Sequence, residues 1–193
     1  AVRLQAHTFE RLVIGQIMET QGKSEGLSQL DHYLAVIADK TGSLIAASAR
    51  YGAMISGADK KIMDALTNFG EAMGLVFQLA DDIIDIASES NESGKTPGTD
   101  LREGVPTLVT LHVLQSEDPK DAELKQLLSG PIKDEAIVAQ TLKELRHHKA
   151  LEQSRAVINK YSRETKRHLS ELPNGVAKEA LFSLSEAVVS RTS

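Results

Sequence analysis

The chain has 193 residues, 41% of them hydrophobic and 25% charged, with 22 Lys and Arg against 27 Asp and Glu, a net charge of −5. That balance argues against a strongly basic nucleic-acid binder and lies far from the composition of disordered chains. There is no cysteine, which excludes disulfides, thiolate metal sites and cysteine nucleophiles together.

No apolar run approaches the length of a membrane span, and the first residues lack the pattern of a signal peptide. A soluble, intracellular, cytoplasmic protein without an integral membrane segment is expected. Ala1 already lies in helical pattern, so the start of the gene product is expected to lie upstream.

Apolar residues recur at spacings of three and four almost throughout, which predicts an all-α fold. The first helix covers Ala1 to Thr20, sets Phe9, Leu12, Val13, Gln16 and Ile17 on one face, and stops at Gln21-Gly22 with the glycine in a left-handed cap. Ser28 followed by Asp31 is a capping-box spacing that starts a second helix. That helix continues through Tyr33, Leu34, Ile37, Thr41, Leu44 and Ile45 to Tyr51-Gly52. A third and most apolar helix runs from Ala58-Asp59 to about Ile86.

Ser88 to Pro106 is rich in Ser, Asn, Glu, Gly and Pro and reads as a long polar loop. Helical spacing returns at Thr107 to Leu114, after Asp121, after Lys133, from Leu151 to Leu169, and from Val176 to Val189. Neither an internal repeat nor a linker divides the chain, so one helical domain is the economical reading.

Within the third helix the only charges from Met73 to Ile86 are Asp81, Asp82 and Asp85. Asp81 and Asp85 share a face, where like charges cost roughly 0.2–0.5 kcal/mol even when exposed, and burying them unpaired would cost several kcal/mol. Either they point to solvent at a helix end or they hold a cation. Oxygen-only ligands with open positions suit Mg²⁺ shared with phosphates better than a closed Ca²⁺ cage.

Lys40 lies on an apolar stripe with Val36, Ile37 and Leu44. Its stem either snorkels to water or, with Thr41, offers donors to an anion. Gln78, one turn before the aspartates, has the same ambiguity. The loop from Gly94 to Gly104 has the glycines and the cation, Lys95, of a flap over phosphate. It lacks the strand and the spacing of a Walker P-loop.

Taken in order, Lys40-Thr41, then Gln78-Leu-Ala-Asp81-Asp82-Ile-Ile-Asp85, then Gly94-Lys95-Thr-Pro-Gly98-Thr-Asp100-Leu-Arg-Glu-Gly104 and Thr107-Leu108 resemble the C-terminal half of the trans-polyprenyl diphosphate synthases. The match covers about Val13 to Leu114. The resemblance implies an antiparallel helical bundle of the isoprenoid synthase type, incomplete at its N-terminus, with residues 1–193 forming the C-terminal part of a single domain, and usually a homodimer. It also implies head-to-tail condensation of isopentenyl diphosphate with an allylic diphosphate.

Asp81 would ligate Mg²⁺, with Asp82 and Asp85 as ligands or orienters. Lys40, Thr41, Gln78 and Lys95 would bind the allylic diphosphate and stabilise its departing charge, with Asp100 among the substrate-binding residues.

Val105 and Val109 stand where many members have lysine and proline, which implies that one phosphate contact is absent. The family's earlier DDxxD, its Arg pair and its N-terminal basic residues have no counterpart before Lys40, so half of the active site is expected to lie outside this chain.

A class I terpene cyclase and a non-catalytic partner subunit are the rival readings. The first lacks its later Asn, Ser or Thr and Glu motif here, and the second has no physical need for three aspartates and Lys95. His147-His148 are adjacent and so diverge on a helix, and the mixed charges from Lys143 to Arg167 read as a solvated face.

Overall fold

The computed structural model describes residues 1–23, 25–88 and 96–192, and among these it is helical, with no strand. In chain order the helices are α1 (Val2–Gln21), α2 (Gln29–Ile37), α3 (Ser43–Ile55), α4 (Lys60–Ala87), α5 (Thr99–Glu103), α6 (Leu108–Leu114), α7 (Ala122–Leu127), α8 (Glu135–His147), α9 (Lys149–His168) and α10 (Val176–Ser190). No helix is long and apolar enough to cross a membrane among the described residues. The chain divides into two compact units, one of residues 1–78 with 159–191, the other of residues 79–158 with Thr192.

In the first unit α1 ends at Gly22, whose φ of 76° is positive as expected but whose ψ of −172° is extended. The left-handed cap is therefore replaced by an open exit, with the Gly22 N–H closing the last turn on the Met18 carbonyl at 3.0 Å. The apolar face of α1 is not core: Phe9, Val13 and Ile17 are exposed, and only Thr8 and Gly15 are buried. The Ser28 hydroxyl starts α2 by accepting the Asp31 N–H at 3.0 Å and donating to its carboxylate at 2.7 Å.

The second predicted helix is not continuous. A π-helical turn, Ala38–Gly42, separates α2 from α3. It inserts one residue into the helical repeat, so burial steps by four from Tyr33 to Ile37, by five to Gly42, and by four again to Ala46. The stripe expected from uninterrupted 3.6-residue spacing therefore fails beyond Ile37, and Leu44 is exposed.

Asp59 starts α4 by accepting the Ile62 N–H at 2.9 Å. Two of its glycines then allow close approach of backbone to backbone. A Cβ on Gly70 would lie 2.8 Å from the Ala46 Cα, and one on Gly74 only 2.6 Å from the Gly42 Cα. Phe69, Met73 and Val76 are buried along the same helix.

In the second unit Leu79, Ile83, Leu108, Leu111, Leu124, Leu145 and Ile158 form the centre of the core. The described part of the predicted polar loop contains α5, bounded by Gly98 and Gly104, both left-handed. Gly98 packs against Val138 and Leu142, and Gly104 against Pro131, so a side chain at either would meet both strain and a clash.

Arg102 clamps Glu135 with two contacts of 2.8 Å and donates to the Pro97 carbonyl at 2.7 Å. The two adjacent histidines diverge as expected. His148 faces Asp121 through Nε2 at 3.1 Å, while His147 faces the Lys143 carbonyl.

Candidate active site

Lys40 and Thr41 sit in the π-turn of the first unit, a type of distortion that recurs at functional sites. Three neighbours define its surroundings. α1 approaches so closely at Gly15 that a Cβ there would lie 3.0 Å from the Asp39 Cβ and the Lys40 Cγ. The half-buried Lys40 ammonium does not snorkel to water but donates to Glu19 of α1 at 2.6 Å. The Thr41 hydroxyl donates to the Gln78 side-chain oxygen at 3.0 Å, which orients that amide.

Beside them Arg11 donates to the Asp39 carboxylate at 2.7 Å, to Glu71 of α4 at 2.6 Å and to the Ala38 carbonyl at 3.4 Å.

In the second unit the end of α4 carries the aspartates, with Asp82 buried and Asp81 and Asp85 half-buried. Arg146 of α8 finishes this helix by donating to the carbonyls of Ile86 at 2.9 Å and Ser88 at 2.6 Å. Asp85 anchors the start of α5. Its backbone carbonyl accepts the Gly98 N–H at 3.0 Å, and its carboxylate oxygens accept the Thr99 and Asp100 N–H groups, each at 3.2 Å.

Burial, and then the nearby charges of Asp82, Asp85, Glu103 and Asp81, push the Asp100 carboxyl from 3.8 up to about 7. The predicted contacts of Gly94 and Lys95 lie outside the described residues.

No three His, Asp or Glu side chains converge to enclose a metal among the described residues. The acids instead line the helix end, so an ion there would draw further ligands from a bound molecule or water. The residues fit a hard divalent cation on two counts. Their donors are carboxylate oxygens, and the crowding that holds Asp100 back from ionising is what a cation would relieve.

A family model described as Polyprenyl synthetase matches residues 1–145. The chain belongs to this family. It is 45% identical over 191 residues to a nonaprenyl diphosphate synthase of Mycobacterium tuberculosis, covering 99% of this chain and 57% of that protein. A dimethylallyltranstransferase of the same organism is 34% identical over 190 residues, covering 98% of this chain and 57% of that one.

The fold matches that of a geranylgeranyl pyrophosphate synthase from Corynebacterium glutamicum, solved with calcium and isoprenyl diphosphate. The TM-score is 0.90 at 42% identity, over 99% of this chain and 59% of that one. The chain thus spans somewhat over half the length of these relatives.

Sequence reasoning missed several residues of this chain that surround Lys40: Glu19, Arg11, Asp39 and Glu71. A signal was present in α1, where Arg11, Gly15 and Glu19 recur every four residues and so share one face. A glycine flanked in this way marks a helix pressed against a neighbour, with charged groups at either side of the contact.

Proposed function

We propose that this chain carries the allylic-diphosphate machinery of a polyprenyl diphosphate synthase, which condenses isopentenyl diphosphate head-to-tail with an allylic diphosphate in the presence of Mg²⁺. The observation that carries this reading is the crowd of four carboxylates, Asp81, Asp82, Asp85 and Asp100, gathered where α4 ends and α5 begins, with Asp100 pushed up to about 7. A fold needs no such concentration of charge. The calcium and isoprenyl diphosphate in the related Corynebacterium enzyme support the same assignment.

Asp81, with Asp82 and Asp85 beside it, would hold Mg²⁺, which when bound supplies positive charge to a departing diphosphate. The remaining work falls to the chain's own donors. Breaking the allylic C–O bond leaves negative charge on the diphosphate oxygens, and fixed donors aimed at them lower the barrier because they need no reorganisation. Lys40 would exchange its partner Glu19 for a phosphate oxygen. Thr41, Gln78 and Lys95 would add hydrogen bonds, and Asp100 would orient the segment that follows Lys95.

The diphosphate takes the proton lost after condensation, so no protein base is required. The protein would act in the cytoplasm as a homodimer.

Calorimetric titration with inorganic pyrophosphate, with and without Mg²⁺, tests the assignment. Metal-dependent binding that is lost in Asp81→Ala and in Lys40→Met is expected. Binding indifferent to both substitutions would remove these residues from the site.

A further inference from the structure

A π-helical turn is rare and occurs mostly as a single-turn bulge within an α-helix, and here it is held on two sides. On one side Gly74 of α4 lies against Gly42 so closely that no Cβ could be inserted. On the other, α1 presents Arg11 and Gly15, and Arg11 reaches the atoms that define the turn. The i to i+5 bond that closes it runs from the Ser43 N–H to the Ala38 carbonyl. Arg11 Nη2 approaches the same carbonyl at 3.4 Å.

The next carbonyl, that of Asp39, accepts the Ser43 hydroxyl at 2.5 Å. The Asp39 carboxylate accepts Arg11 Nε at 2.7 Å. The second arm of the same guanidinium binds Glu71 at 2.6 Å, which ties the turn to α4.

We propose that Arg11 is a positioning residue, which through Asp39, Ala38 and Glu71 holds the π-turn in the form that presents Lys40 and Thr41 to a diphosphate. The inference rests on the function proposed above and extends it to residues that touch no substrate.

The physical reason lies in helix register. One residue of an α-helix corresponds to about 100° of rotation. If the turn relaxed to α-helical spacing, either Lys40 and Thr41 or the whole of α3 would rotate by about that amount. Because Gly42, Ala46 and Ala47 are packed, the displaced residues would be Lys40 and Thr41. A planar, forked cation suits the task, since one guanidinium can satisfy two carboxylates and a carbonyl in fixed directions, which a lysine ammonium on a flexible stem cannot do.

Pyrophosphate with Mg²⁺, titrated into the whole 193-residue chain, separates the possibilities. Arg11→Met and Asp39→Asn should each weaken binding about ten-fold, the lower end of the loss found when groups that orient metal ligands are removed. In a Lys40→Met background neither should weaken it further, because the group they position has gone. Asp39→Asn keeps the side-chain volume and carries the test even where Arg11→Met unfolds, which thermal unfolding would report.

Unchanged affinity in Asp39→Asn would overturn the proposal. So would an equal loss with and without Lys40, which would mark the network as merely structural. If the unaltered chain fails to bind pyrophosphate, or Lys40→Met binds as well as it does, the functional reading itself falls and takes this inference with it. That outcome is visible in proteins where Arg11 is intact.

Discussion

Asp100 donates its backbone N–H to the carboxylate of Asp85 at 3.2 Å while its own carboxyl faces the charge of that same residue. The main chain of the second acid thus anchors α5 to α4, and its side chain bears the electrostatic consequence. Burial and then Asp82, Asp85, Glu103 and Asp81 hold Asp100 protonated up to about pH 7 instead of 3.8.

This arrangement fixes the sign of a pH effect. The folded chain retains the Asp100 proton over a range in which the unfolded chain has released it, so the folded state gains from the protonated form. That contribution is complete below about pH 4 and is lost as pH rises through about 7, with a magnitude of a few kcal/mol. Asp100→Asn should therefore flatten the decline in stability expected between about pH 4 and pH 7 in urea titrations without divalent cation. Parallel curves for the two proteins would show that Asp100 ionises freely.

In a protein that carries the whole active site, Asp81→Ala should lower incorporation of labelled isopentenyl diphosphate by roughly two orders of magnitude or more, since it removes a group expected to hold the cation. The fold should survive. Three acids within five residues repel one another by roughly 0.2–0.5 kcal/mol for each neighbouring pair, so losing one relieves the helix. Steady-state rates alongside thermal unfolding distinguish this from collapse. A variant with near-normal turnover would exclude Asp81 from the chemistry.

Asp85 has a structural duty as well, because both of its carboxylate oxygens receive backbone N–H groups. Hydrogen bonds to a charged acceptor contribute about 1.5–3 kcal/mol each where they are well shielded, and less where exposed, as at Thr99. Asp85→Ala should therefore destabilise the protein as well as weaken cation binding. Hydrogen exchange at the Thr99 and Asp100 amides should accelerate in the variant. Unaltered protection would mean that Arg102 and the packed glycines hold α5 unaided.

Much of the helical layout and the aspartate helix was legible in the sequence, because caps and apolar spacing act locally. Ser28 with Asp31 and the glycines around α5 announce their own geometry. The π-turn was not legible. The groups that contact it, Arg11, Glu71 and Gly74, lie far along the chain, and uniform 3.6-residue spacing carried across it places Leu44 in a core from which it is excluded. The pairing of Lys40 with Glu19 was missed for the same reason, since 21 residues separate them. The exposed stripe of α1 shows the opposite limit: amphipathic spacing reveals a face, but not what covers it.

The contact between Gly74 and Gly42 gives the most direct test of the packing that supports Lys40. A methyl group at residue 74 would lie 2.6 Å from the Gly42 Cα and 3.1 Å from the Thr41 carbonyl oxygen. Both are backbone atoms and cannot swing aside as a side chain can, so the helices must part. Overpacking of this kind costs about 1–3 kcal/mol, larger than the gain of roughly 0.5–1 kcal/mol that alanine normally brings to a helix interior. Gly74→Ala should accordingly unfold at lower temperature than the parent protein and bind pyrophosphate more weakly, because the turn carrying Lys40 and Thr41 is displaced. Gly52, in α3 with nothing within 4 Å of its added Cβ, is the matched control. Gly52→Ala should raise the unfolding temperature and leave binding unchanged. If Gly74→Ala behaves like Gly52→Ala in both measurements, the close approach of α4 to the π-turn is not what holds Lys40 and Thr41 in place.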